Sequence, residues 1–268
     1  MASRKEVIDN YTECEKNGIF DMHVDPVDYS VAAPVDTDFQ YIPAGWEKFR
    51  RKLEKAFIVN PFSWHLNKYV TSTRVEGREN LKGIDSAIVT CNHVFIFDCL
   101  VLMKGLKHKV KYTVAEFNNR NDFLGEMMRA GGILPLSDKI NVMKKFNGAV
   151  KYYLEHKHYV VFYPEQAMWY MYEKPRPFKN GAYHYAVKHN VPVIPTFITF
   201  RDSGKKDEEG LEIKYFTLHI MPPIYPGKNL GNAENAEYMK NKNYEMCKAK
   251  YEEVYKKPLV YTCGDIKC

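Results

Sequence analysis

From residue 71 to residue 255, short apolar β-rich runs alternate with stretches of helical periodicity, and this limits the chain to few folds. The runs are 86–91 (SAIVTC), 111–115 (KYTVA), 132–136, 159–163 (YVVFY) and 192–200 (PVIPTFITF). They are short and apolar throughout, as strands covered on both faces must be. Between them, 97–106, 122–130, 138–155 and 182–189 repeat their apolar residues at helical spacing; Met143, Phe146, Val150 and Leu154 are the clearest set. Residues 211–220 alternate as a strand does, and 233–255 form a charged closing helix. This order predicts an α/β fold: one domain over 71–268 with a mostly parallel sheet flanked by helices.

Two segments precede it. Residues 1–43 are polar and interrupted by Pro26, Pro34 and Pro43, which predicts a loosely structured arm. The arm is acidic: residues 1–40 hold nine carboxylates against Arg4, Lys5 and Lys16. Residues 44–70 place Trp46, Phe49, Leu53, Ala56 and Phe57 on one helical face, with Lys48, Arg50, Arg51, Lys52 and Lys55 around it. Pro61 is expected to break the helix, and Phe62, Trp64, Leu66 and Tyr69 mark a second short one. Aromatic residues flanked by cations suit amphipathic helices lying in a membrane interface; such a stripe more commonly docks on its own core.

The net charge of +6 combines that acidic arm with a body carrying +12, so the body favours an anionic partner. Nucleic acid lacks support, since no helix-turn-helix, zinc-finger or RNA-recognition pattern is present. Phosphate-binding GxxxxGK[ST] and GxGxxG loops are absent too. The six cysteines (Cys14, Cys91, Cys99, Cys247, Cys263, Cys268) form no CxxC pair, and neither Cys263/Cys268 nor His156/His158 makes a metal set, so no metal is expected. Reduced thiols and the lack of an apolar leader suit a cytoplasmic protein. The longest apolar stretch, 87–103, carries Asn92, His93 and Asp98 in its middle and could not face lipid as a span. A peripheral protein on the cytoplasmic face of a membrane is the resulting expectation.

Three stretches carry candidate chemistry. Asn92-His93-Val-Phe-Ile-Phe-Asp98 follows the 86–91 run, where a strand gives way to a helix and α/β active residues collect. At that spacing the carboxylate can hold one imidazole nitrogen and leave the other to take a proton from an alcohol. Alone, such a His is more often structural. Tyr163-Pro164-Glu165 closes another strand, and Val191-Pro192-Val-Ile-Pro195 opens a third; each has an ordinary structural explanation by itself. No GxSxG elbow is present, which disfavours a serine hydrolase.

Taken in order, these stretches over about residues 71–200 resemble the glycerolipid acyltransferase family, whose best-known members acylate lysophosphatidic acid. Its NHxxxxD block matches Asn92, His93 and Asp98. A glycine-led segment before a basic residue matches loosely at Gly131-Gly132 through Asp138-Lys139. Its FPEGTRS block matches only at Tyr163-Pro164-Glu165, and its VPVIP block matches at 191–195 in full. The lead-in 75–81 (VEGRENL) is similar as well. The resemblance implies that His93 acts as general base, oriented by Asp98. The acyl group would pass directly from acyl-CoA or acyl carrier protein to a lysolipid hydroxyl, with no cofactor and no covalent acyl-enzyme. Substrate contacts would come from Asn92, Gly132, Pro164 and Glu165.

The chain departs from that pattern at two places. Gln166-Ala167-Met168-Trp169 replaces Gly-Thr-Arg-Ser, and Asp138 stands where an arginine is expected. Arginine grips phosphate bidentately and these residues do not. Lys139, Arg176 and Lys179 are the candidate replacements for a phosphate-bearing acceptor. A lysophospholipid, amino-acid lipid or glycolipid acceptor is the alternative, with Trp169, Tyr170 and Tyr172 as stacking surfaces. A non-catalytic lipid-binding relative is the third possibility.

Overall fold

The computed structural model describes residues 3–264. Seven strands form one sheet in the order β1-β7-β6-β2-β5-β3-β4: β1 (Arg74–Glu76), β2 (Ala87–Thr90), β3 (Val110–Val114), β4 (Ile133–Pro135), β5 (Tyr159–Phe162), β6 (Val193–Lys206) and β7 (Glu212–Ile220). Strands β6, β2, β5, β3 and β4 are mutually parallel. Only β7, antiparallel to β6, and β1, parallel to β7, run the other way. The sheet is therefore mostly parallel, as the apolar runs predict. Every residue of β2 and β5 is buried.

Alternate residues of these strands feed two cores. Ile88, Val160 and Val193 point to one side, under α6 (Ile140–Glu155), α7 (Gly181–His189) and α8 (Asn232–Tyr255). Ala87, Val89, Val161 and Ile194 point to the other, under α4 (Asp98–Leu106) and α5 (Phe123–Gly131). Neighbouring strands β2 and β5 thus send their connections to opposite faces, β2 into α4 and β5 towards α7. That divergence opens a crevice at their carboxyl ends, where α/β sheets place ligands.

Residues 44–70 follow the expected amphipathic course but are not broken at Pro61. Helical structure runs through α2 (Gly45–Glu54), a π turn (Lys55–Val59), α3 (Asn60–His65) and a second π turn (Leu66–Val70). In the first π turn the Asn60 amide reaches back to Lys55 O. The widened turn lets the chain pass a proline, which has no N–H to give. The aromatic stripe does not dock on the core: Trp46, Phe57 and Trp64 are 73%, 75% and 59% exposed. Of the flanking cations, Arg50 and Arg51 are tied up by Glu47, Glu54 and Glu126. Among the described residues, no helix is long and apolar enough to cross a membrane.

The acidic arm is not loose. Residues Arg4–Lys16 form α1, capped by the Ser3 hydroxyl on Glu6 N. Its Val7 joins Phe20, Val24, Ala167, Trp169, Tyr172 and Tyr261 in a small third core. Tyr11 stacks on Trp169 with ring centres 6.0 Å apart. Residues 29–36 then run beside the turn after β3, where Ala33 N meets Asn119 O and Val35 N meets Glu116 Oε1. Prolines and charge had hidden these apolar anchors, whose partners lie more than eighty residues away.

Glu15 pins the arm: it accepts from Tyr172 Oη, Lys174 Nζ and the Thr262 amide. Burial works to raise its carboxyl pKa, but these partners outweigh it and hold the pKa below the usual 4.5. A depressed carboxylate stabilises the fold above its unfolded pKa and loses that contribution as pH falls through the lower folded value. Glu15→Gln should therefore cost about 1.5–3 kcal/mol at pH 7. In urea unfolding, the gap to wild type should narrow only below about pH 4.5; a gap constant from pH 7 to pH 3 would contradict the ionic role.

Candidate active site

The crevice is built from the residues that follow β2 and β5. At Pro195 the β2–β6 ladder loses its next donor, because proline has no N–H. Asn92 takes over: its Oδ1 accepts from Ile198 N at 2.7 Å and its Nδ2 donates to Ile198 O at 2.9 Å. The side chain imitates one more rung and fixes where the chain turns out of the sheet. His93 is the next residue.

The His93 ring lies on Tyr163 with centres 4.2 Å apart and planes 23° apart. Its Nδ1 is 2.9 Å from Asp98 Oδ2. Asp98 is the first residue of α4, and Oδ2 also accepts from Val94 N and Phe95 N at 2.9 and 3.2 Å. Burial pushes the Asp98 carboxyl above its ordinary value, while His93 and the two amides pull the other way. The carboxylate accepts only, so His93 must carry its proton on Nδ1, leaving Nε2 as an acceptor. With a quarter of its side chain exposed, the imidazole can be approached from the crevice.

Behind the ring lies a second charged layer. Glu165 is buried and accepts from His93 N, Arg176 N, Arg176 Nε and Arg176 Nη2 at 2.8–3.2 Å. Arg176 is fully buried. It also donates to Phe20 O, Ala167 O and His93 O, and its guanidinium lies over the Trp169 ring at 4.6 Å. Trp169 N and Met171 N donate to His93 O and Val94 O, so the turn after Glu165 is laced to the histidine loop.

The expected substrate contacts now separate. Asn92 and Glu165 hold the backbone at His93 rather than facing the crevice. Pro164 closes β5, and its carbonyl accepts from Lys179 N. Gly132 ends α5 with φ +104° at the amino end of β4, away from the carboxyl ends where His93 lies. The substitute phosphate site does not assemble. Arg176 is buried on Glu165, Lys179 pairs with Asp21 at 2.8 Å, and Lys139 Nζ donates to Val35 O. Trp169 and Tyr172 are buried and offer no stacking surface. A buried guanidinium held on all sides cannot turn to a ligand without leaving Glu165 unpaired.

Sequence reasoning missed Tyr163 as the platform under His93, and it missed His23. His23 approaches the site from the arm and packs edge-on to Phe117 at 5.5 Å. Burial, with the Arg176 charge also contributing, holds its imidazole below the ordinary pKa. No pattern in the arm marks His23, since the contact exists only once the arm is folded down. Among the described residues, no group of three or more His, Cys, Asp or Glu could hold a metal ion; Cys268 lies outside them.

Arg176→Met would strand the buried Glu165 carboxylate and should cost about 3–5 kcal/mol, read as a lower urea midpoint. Lys179→Met, at a half-exposed pair, should cost less than about 1 kcal/mol. Equal, small effects would show that Arg176 does not buttress the site.

Residues 72–199 match the family model described as Acyltransferase, which spans both ends of the crevice. No curated protein matches the chain. Among solved structures, the chain is similar to the 1-acyl-sn-glycerophosphate (LPA) acyltransferase PlsC from Thermotoga maritima, with a TM-score of 0.57 and 20% identity. The match covers 81% of this chain and 86% of that one, and it is a likeness of fold. Residues 72–199, folded in this way around His93 and Asp98, therefore match an acyltransferase-family domain.

Proposed function

We propose that the protein transfers a fatty acyl group from a thioester, acyl-CoA or acyl carrier protein, to the hydroxyl of a lysolipid in glycerolipid synthesis. The observation that carries this reading is the His93–Asp98 pair, with Nδ1 bonded at 2.9 Å and a quarter of the His93 side chain exposed. In this mechanism Nε2 takes the proton of the acceptor hydroxyl as its oxygen attacks the thioester carbonyl. The C–O bond forms, the C–S bond breaks, and the imidazolium returns its proton to the departing thiolate. Asp98 fixes the tautomer and offsets the positive charge that His93 acquires.

The acceptor is a lysophosphatidic acid-like lysolipid or one with a different head group. The burial of Arg176 and the pairing of Lys179 favour the second possibility, since a phosphomonoester drawn into the crevice needs charge-assisted donors. Incubation with labelled acyl-CoA or acyl carrier protein and a panel of lysolipids, followed by mass spectrometry of the products, decides between them. His93→Ala should lower turnover about 10²–10⁴-fold with the fold intact. Asp98→Asn should also cripple it, through the wrong tautomer. A His93→Ala enzyme keeping more than roughly a tenth of wild-type turnover would end the assignment of that residue as base.

We place the protein on the cytoplasmic face of a membrane as a peripheral enzyme. Support comes from the exposed aromatic stripe of α2, α3 and the intervening turn. Trp46→Glu/Phe57→Glu should move the protein from vesicle pellet to supernatant in sedimentation; unchanged recovery would remove the stripe from membrane binding.

A further inference from the structure

Near His93, Arg176 and Lys179 are paired with carboxylates, whereas a second cluster of cations, on the far side of α4, has none beside it. An open cavity of about 580 Å³ lies between the 60–73 segment and the last turn of α4, and Lys68, Lys104 and Lys107 line it with no carboxylate among the lining residues. Lys68 Nζ stands 4.8 Å over the Trp64 ring and 5.0 Å from that of Tyr69. Lys104 Nζ donates to Thr73 O, and burial, with Arg78 nearby, lowers its pKa. Arg78 itself caps the α4 carbonyls of Lys104 and Gly105. Like charges gathered without a counter-charge disfavour one another, and a bound anion relieves that cost.

The remaining lining is polar at the floor and apolar at one wall. Ser63 and Asn67 are buried and tied to Leu100 O in the first turn of α4. Asn67 gives its amide protons to Ser63 and Leu100, while its Oδ1 is buried with no partner among the described residues. A headgroup hydroxyl settling on the floor would meet that demand. Trp64 and Met103 form the apolar wall. The exposed Phe62, Trp64, Tyr69 and Val70 come from the same helical stretch, so the cavity opens beside the surface assigned to the membrane.

We infer that this cavity binds the phosphodiester headgroup of an anionic membrane phospholipid, of the glycerol type with free hydroxyls. The inference rests on the peripheral-membrane reading above. Lys107 directly follows α4, whose eight rises from Asp98 to Leu106 span about 12 Å at 1.5 Å per residue. A headgroup held there would set the height of the His93 crevice above the lipid surface. The phosphates of coenzyme A share the same chemistry, but the adjoining exposed aromatics favour a lipid source.

The test uses the full chain and two probes free of any bilayer. Dihexanoyl phosphatidylglycerol below its micellar concentration, and free coenzyme A, are titrated while tryptophan fluorescence is followed in Trp46→Phe protein. Saturable binding of the lipid, abolished by Lys68→Met/Lys107→Met, is expected; absence of saturation, or saturation by coenzyme A alone, overturns the proposal. On vesicles containing phosphatidylglycerol, the same double variant should bind about 25-fold more weakly, each lysine contributing about fivefold. The exposed control pair Lys205→Met/Lys206→Met should change binding less than about threefold. Equal losses in the two doubles would mean diffuse charge attraction and no site. Because the soluble lipid needs no bilayer, failure there is separable from failure of membrane docking by the aromatic stripe.

Discussion

The buried ion pair between Glu165 and Arg176 is the contact on which the site depends. An ionised carboxylate and guanidinium withdrawn from water survive only if nearly every polar atom finds a partner. Here those partners are the structural parts themselves: the His93 amide and carbonyl, the Ala167 carbonyl after β5, and the Phe20 carbonyl of the arm. Satisfying the pair thus requires that the histidine loop, the β5 turn and the N-terminal segment meet in one place. Trp169 closes the arrangement by covering the guanidinium.

This explains why the third block departs from the family pattern without loss of order. With Met168 and Trp169 in place of arginine and serine, the turn gives up a phosphate grip and gains an aromatic surface. Phe20, Tyr11 and Tyr172 pack on it. The glutamate and its arginine serve the backbone of His93, so their chemistry is one of position. The residues that can touch a reacting group are fewer than the motifs suggest, with His93 foremost among them, held by Asp98 and resting on Tyr163.

Charge is divided in a related way. The acidic arm lies across the carboxyl ends of the sheet, where Asp21 and the carbonyl of Val35 occupy Lys179 and Lys139. Lys68, Lys104 and Lys107, behind α4, have no carboxylate beside them. The +6 total conceals this separation, because the arm and the body partly cancel.

The sequence by itself determined the α/β class, the parallel body of the sheet and the strand-end placement of His93 and Asp98. Each of these follows from local periodicity, from burial of short apolar runs on both faces, or from a spacing of five residues across one turn. It also determined the amphipathic helices, whose stripe is a property of neighbouring residues; Pro61 misled only because a π turn can absorb it. Tertiary structure alone decided the fate of the arm, of Arg176 and of Trp169. Whether a cation is a ligand grip or a buried strut depends on partners as much as 156 residues away, and no local pattern records them. The same is true of His23, brought toward His93 by apolar anchors scattered among prolines and carboxylates. Local physics wrote the elements and the His93–Asp98 pair; long-range desolvation decided which charged groups were buried as struts.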